Sequence, residues 1–113
     1  MQAGDIYLAS FPFGDAPGMK LRPVLLLSGA LGTIPEVLVA YISSVMPSVQ
    51  LPTDIVLDPA MAEPKTTKLK TKSVLRLHKL ATIHARSVVR RLGCLTPKTR
   101  SEVNQKLRAL LNL

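Results

Sequence analysis

Residues 4–28 read GDIYLASFPFGDAPGMKLRPVLLLS, and the order of their parts sets the class of fold. Residues 6–11 form a short apolar-rich run that starts directly after Gly4-Asp5. Residues 11–23 then hold three prolines and two glycines, a composition that belongs to a loop. Residues 23–28 (PVLLLS) are an unbroken apolar run, as expected of a strand covered on both faces. A strand, a turn-rich loop and a second strand open a sheet protein rather than a helical bundle.

Reading outward, the sheet continues. Residues 36–44 (EVLVAYISS) are rich in Val, Ile and Tyr, which suit strands. Residues 53–57 (TDIVL) predict a short strand ending at Asp58-Pro59. Residues 59–72 (PAMAEPKTTKLKTK) are polar, Pro- and Lys-rich and without period, which predicts an exposed, mobile loop. In residues 73–82 (SVLRLHKLAT) Leu75 and Leu77 fall on one face and Arg76 and His78 on the other. Residues 88–95 (VVRRLGCL) predict a further strand. The C-terminal stretch is helical: Thr96 suits the N-cap, Pro97 the first helical position, and Leu95 the hydrophobic staple. Val103, Leu107, Leu110 and Leu111 recur at i, i+4, i+7 and i+8, one apolar face, with Lys98, Arg100, Lys106 and Arg108 mostly off it. The expected fold is mainly β with a C-terminal α-helix, a small twisted barrel or half-open sheet closed by that helix.

At 113 residues, 47 % of them apolar, the chain predicts one domain over residues 1–113 with one modest core and no internal repeat. The aromatics are Tyr7, Phe11, Phe13 and Tyr41, too few for a broad base-stacking platform. Charge is divided along the chain. Residues 1–60 carry two basic and five acidic side chains, whereas residues 61–113 carry thirteen basic and two acidic, a net +11. A basic half on a folded domain points to a polyanionic partner, either nucleic acid or an acidic protein. The lone Cys94 cannot form an intramolecular disulfide. With no signal-peptide pattern and no apolar run long enough to span a bilayer, a cytoplasmic protein without membrane contact is expected.

Elimination narrows the chemistry. The sequence has no Gly-rich phosphate loop, no Gly-x-Ser-x-Gly elbow, and only His78, His84 and Cys94 as soft metal ligands, without ligand spacing. Its seven scattered acidic residues include no cluster for two-metal hydrolysis; Asp54 and Asp58 read as solvated capping residues. No metal and no cofactor are therefore expected. Cleavage of RNA remains open to such a chain, because the ribose 2′-OH supplies the nucleophile. The protein must add only proton transfer and charge stabilisation on the phosphorane. Arginine suits the second task, since its planar fork binds phosphate oxygens bidentately.

The order of motifs resembles the MazF/PemK family of toxin endoribonucleases. The family's N-terminal hallmark is matched by residues 4–28: Gly-Asp, an apolar strand, a Gly/Pro loop, then Arg-Pro before an apolar strand ending in Ser. The match continues through VLVAYISS, LPTDIVLD, KSVLRLHKLATI and the helix LTPKTRSEVNQKLRALL, and so runs over nearly the whole chain. The resemblance implies an SH3-like barrel with a terminal helix, shared with CcdB toxins, acting as a homodimer. It implies metal-independent cleavage of single-stranded RNA, leaving a 2′,3′-cyclic phosphate and a 5′-hydroxyl, and a cognate acidic antitoxin that blocks the RNA groove.

Residue by residue, the resemblance gives Arg22 the catalytic arginine's place, held extended by Pro23. Ser43 takes the family's strand-end Thr/Ser place, with Ser44 one position away as the alternative. One residue in a strand reverses the face, so only one of the two hydroxyls should matter. Lys20, His78 and Lys79 are implied RNA contacts, with residues 14–19 a mobile loop flanking the groove. Lys65, Lys68, Lys70 and Lys72 either track the RNA backbone or are solvated. The rival readings are a CcdB-like non-nuclease toxin acting on a protein such as DNA gyrase, and a generic RNA-binding protein.

Overall fold

The computed structural model describes residues 1–11, 20–61 and 66–113. Six strands, β1 (Asp5–Phe11), β2 (Lys20–Leu26), β3 (Glu36–Ser43), β4 (Asp54–Leu57), β5 (Ser73–His84) and β6 (Val88–Cys94), precede one helix, α1 (Pro97–Leu111). They form one antiparallel sheet in the order β4-β5-β3-β2-β1-β6. All six expected strands are present, each within a few residues of its expected limits.

The unbroken apolar run of β2 has two faces to fill. Leu25 joins Ile6, Ala40, Ile42, Leu75 and Leu77 in the larger apolar cluster, which β4, Leu95 and Val103 of α1 cover. Val24 and Leu26 face the other way, into a second cluster with Ala9, Val37, Val39, Ile83 and Val88. Alternation along β3 supplies both layers, and this double burial is why Val24–Leu26 and Val37–Ala40 carry no polar side chain.

Two irregularities bend the sheet. Between β3 and β5 the register jumps from Ala40↔Leu80 to Tyr41↔Arg76, so Leu77, His78 and Lys79 oppose no β3 residue. A single 3₁₀ turn, Ala85–Ser87, then carries the chain from β5 to β6. His84 caps it, its Nδ1 accepting the Arg86 N–H at 3.0 Å. Among the described residues no ladder joins β6 back to β4 or β5. An SH3-like barrel in the closed sense is therefore not established.

Thr96 caps α1 as expected, its hydroxyl accepting the Thr99 N–H at 3.2 Å, with Pro97 next. The apolar face is shorter than its periodicity suggests. Val103 is buried and Leu107 packs on the core, while Leu110 and Leu111 are exposed because the last turn runs beyond the apolar layer it covers.

The 59–72 segment departs most from expectation. Residues 62–65, Lys65 among them, lie outside the described residues, as do residues 14–19. From Thr66 onward the segment is tied to the sheet rather than loose. The Thr66 hydroxyl donates to the Cys94 carbonyl at 2.7 Å, Thr67 is buried, and Leu69 enters the larger core cluster. No helix among the described residues is long and apolar enough to cross a membrane.

Candidate functional site

Pairing between β2 and β3 runs from Leu26↔Val39 to Val24↔Tyr41 and stops there. The next residue of β2 is Pro23, which has no N–H to extend the ladder. Beyond that point β2 remains paired only with β1, through Ala9↔Arg22, and β3 only with β5, through Ser43↔Val74. A cleft of about 330 Å³ opens between the two pairs. Leu8, Leu21, Arg22 and Pro23 line one side, and Ile42, Ser44 and Ser73 the other. Lys68, Leu69, Lys70, Thr71 and Leu92 complete the lining.

The geometry separates the expected site residues. Arg22, half-buried, and Ser44, exposed, share this cleft. Ser43 is buried and absent from the lining; its hydroxyl accepts the Val45 N–H at 3.1 Å and lies 3.4 Å from the Val45 carbonyl. Lys20 is exposed at the start of β2, outside the cleft. His78 and Lys79 sit in the bulged part of β5, also outside it. The Thr53 hydroxyl is 2.9 Å from His78 Nδ1, and Lys79 Nζ stands 5.5 Å from the centroid of the Tyr41 ring. Of the lysines weighed as backbone contacts, Lys68 and Lys70 line the cleft and Lys72 does not. The apolar lining by Leu8, Leu21 and Leu92 has no sequence signal beyond ordinary strand patterning.

Asp54 corrects another expectation, since it is buried rather than solvated. Its Oδ1 accepts from Arg76 Nε at 3.0 Å, and its Oδ2 from Arg76 Nη2 at 3.3 Å and from the Leu51 N–H at 2.9 Å. Burial alone would raise its pKa. The Leu51 N–H, the Arg76 hydrogen bond and charge, and the nearby His78 outweigh burial and hold the carboxyl below its ordinary value. A depressed folded-state pKa gives stability that is complete above the unfolded value and is lost as pH falls through the folded one. Asp54→Asn is therefore expected to cost about 1.5–3 kcal/mol at neutral pH. Its denaturation midpoint should also fall less than the wild type's on acidification below about pH 4. Equal acid sensitivity of the two proteins would remove this role. The pair tethers β4 to β5 and lies apart from the cleft, so it serves the fold.

Comparison with known proteins agrees with this architecture. No curated protein matches the sequence. Among solved structures, the Mycobacterium tuberculosis toxin MazF-mt6 superposes with a TM-score of 0.73 at 22 % identity, over 96 % of this chain and 97 % of that one. An endoribonuclease from a mycobacterial species, solved in complex with its cognate antitoxin, gives 0.71 at 18 % identity, over 100 % and 96 %. MazF from Deinococcus radiodurans gives 0.70 at 18 %, over 100 % and 97 %. At these identities the likeness carries the fold. The family model for PemK-like, MazF-like toxins of type II toxin–antitoxin systems matches residues 2–111. On that match over almost its whole length, the chain belongs to the PemK-like, MazF-like toxin family of type II toxin–antitoxin systems.

Proposed function

We propose that this toxin is a metal-independent endoribonuclease that cuts single-stranded RNA in the cleft between β2 and β3. The observation that carries the reading is the meeting of Arg22, Ser44, Lys68 and Lys70 around one opening. In the reaction the 2′-oxygen gives up its proton and bonds to phosphorus. The P–O5′ bond breaks and O5′ takes up a proton, leaving a 2′,3′-cyclic phosphate and a 5′-hydroxyl. Arg22 holds two phosphate oxygens and stabilises the charge that builds on the phosphorane. No carboxylate or imidazole is among the described residues of the cleft, so this lining contributes positive charge and hydroxyls.

Ser44 is the hydroxyl we assign to the phosphate, with Ser43 fixing the turn beneath it through Val45. Ser44→Ala should slow cleavage by about 10–100-fold, the worth of one hydrogen bond to a charged group. Ser43→Ala should act mainly on stability. The reverse order in single-turnover rates would return the role to Ser43.

The same reading makes the protein a cytoplasmic homodimer acting on mRNA and held in check by an acidic antitoxin. The basic C-terminal half complements such a segment. Solved relatives in complex with antitoxin, the mycobacterial endoribonuclease and MazE–MazF of Deinococcus radiodurans, support it. The test is to incubate the protein with a long RNA in EDTA and map the cut ends. Discrete cuts with cyclic-phosphate ends are expected, whereas RNA left intact would favour a toxin with a protein target.

A further inference from the structure

Lys68 adopts φ +58°, a left-handed backbone that side chains with a Cβ rarely occupy. The other non-glycine residue with positive φ among those described is Asn112, at the helix C-cap, where that geometry is routine. Lys68 directly follows Thr66 and Thr67, which end a 3₁₀ turn; there too the left-handed geometry is common, but its usual residues are glycine and asparagine, not lysine. It lies between two anchored neighbours, Thr67 at 1 % exposure and Leu69 at 9 %, and its own side chain is exposed. The Leu69 N–H donates to the Thr67 hydroxyl at 3.2 Å, which closes a tight turn around it. Thr66 ties the same turn to Cys94. Gly93 lets the turn lie flat on β6, since a Cβ there would fall 2.1 Å from the Thr66 carbonyl oxygen.

The fold thus fixes the backbone on both sides of Lys68, and at the fixed position a glycine would be less strained. Packing does not account for the lysine, because the side chain is in solvent. Its surroundings do: it borders the cleft that holds Arg22 and Ser44, with Lys70 beside it. An exposed cation at a position where glycine would be less strained, bordering the cleft, points to a use for its charge.

We propose that Lys68 is a positioning residue that clamps an RNA phosphate next to the one being cut, and that Lys70 supports it. This rests on the nuclease reading above. Arg22 approaches from β2 and Lys68 from the turn, so RNA lying in the cleft meets cations from two separate elements. The ammonium acts as a point charge on a phosphate that does not react, so it governs how tightly RNA is held and in what register.

Lys68→Gly isolates the charge, because glycine accepts the positive φ that alanine would not. A short single-stranded RNA substrate is cleaved by wild type, Lys68→Gly and Lys68→Arg across a salt series. In Lys68→Gly the KM should rise about 10-fold, and the slope of log(kcat/KM) against log salt should flatten by about 0.7, one phosphate contact on a single strand. Its thermal midpoint should stay level or rise, and Lys68→Arg should restore most of the affinity. Lys68→Gly matching wild type in KM and salt slope, or losing kcat alone, would overturn the clamp while leaving the nuclease reading intact. Wild-type protein that leaves RNA uncut sinks both.

Discussion

RNA cleavage by the Arg22→Ala protein is expected to fall by about 10²–10³-fold, the usual cost of removing one preorganised donor from a developing oxyanion. Arg22 stands where β2 has left β3 but still pairs with Ala9 of β1, so its backbone is held by a strand while its side chain borders the cleft. Among the described residues its guanidinium has no hydrogen-bond or ion-pair partner. Truncation therefore removes no hydrogen bond or ion pair among those residues, and the unfolding free energy should stay within about 0.5 kcal/mol of wild type. Arg22→Lys should recover only part of the rate, since an ammonium cannot bind two phosphate oxygens in one plane. Single-turnover rates and a denaturant melt on the same preparations separate the outcomes. A collapsed melt in Arg22→Ala would mean that the arginine builds the fold instead.

Among the described glycines, Gly93→Ala should be the most damaging. The added carbon would sit 2.1 Å from the Thr66 carbonyl oxygen and 2.7 Å from that of Thr67, both backbone atoms. No rotamer change relieves such a clash. Either β6 or the 66–71 turn must move, at a cost of about 3 kcal/mol or more. That is a large part of the roughly 5–15 kcal/mol a domain of this kind holds in reserve. If the turn yields first, Leu69 leaves the core, and Lys68 and Lys70 lose their place at the cleft. Cleavage should then fall at temperatures well below the melt. A denaturant midpoint equal to wild type would show that the turn shifts without loss and that its anchoring is weaker than the geometry implies.

The parts of the fold legible in the sequence are those carried by strong local chemistry. Two-faced burial of β2 follows from PVLLLS, and the start of α1 follows from Leu95-Thr96-Pro97, because caps and continuous apolar runs act over a few residues. The 66–71 turn was hidden by its composition. A run of Lys and Thr reads as solvent-exposed, yet every second residue is buried: Thr67 and Leu69 inward, Lys68 and Lys70 outward. One signal was available. A glycine inside a strand pattern, Gly93 in VVRRLGCL, marks close approach of another backbone, but it does not say which one. The bulge at Leu77–Lys79 has no such mark, so His78 and Lys79 could not be assigned to a position relative to the cleft. The Ser43/Ser44 ambiguity is the one-residue problem of any strand end, where the pleat decides the face and the sequence does not show where the pleat begins.

The place of β1 between β2 and β6 also has a consequence in time. Asp5 pairs with Cys94 across most of the chain's length, and Thr66 reaches its acceptor only when that residue has arrived. Such distant contacts make for slow folding, because a long loop must close before they form. As the chain leaves the ribosome, the β1–β2–β3 meander can assemble early and carry Arg22 with it. The 66–71 turn, with Lys68 and Lys70, waits for β6. A growing polypeptide therefore carries Arg22 at the border of an unfinished cleft, whose lining is completed only when the sixth strand docks.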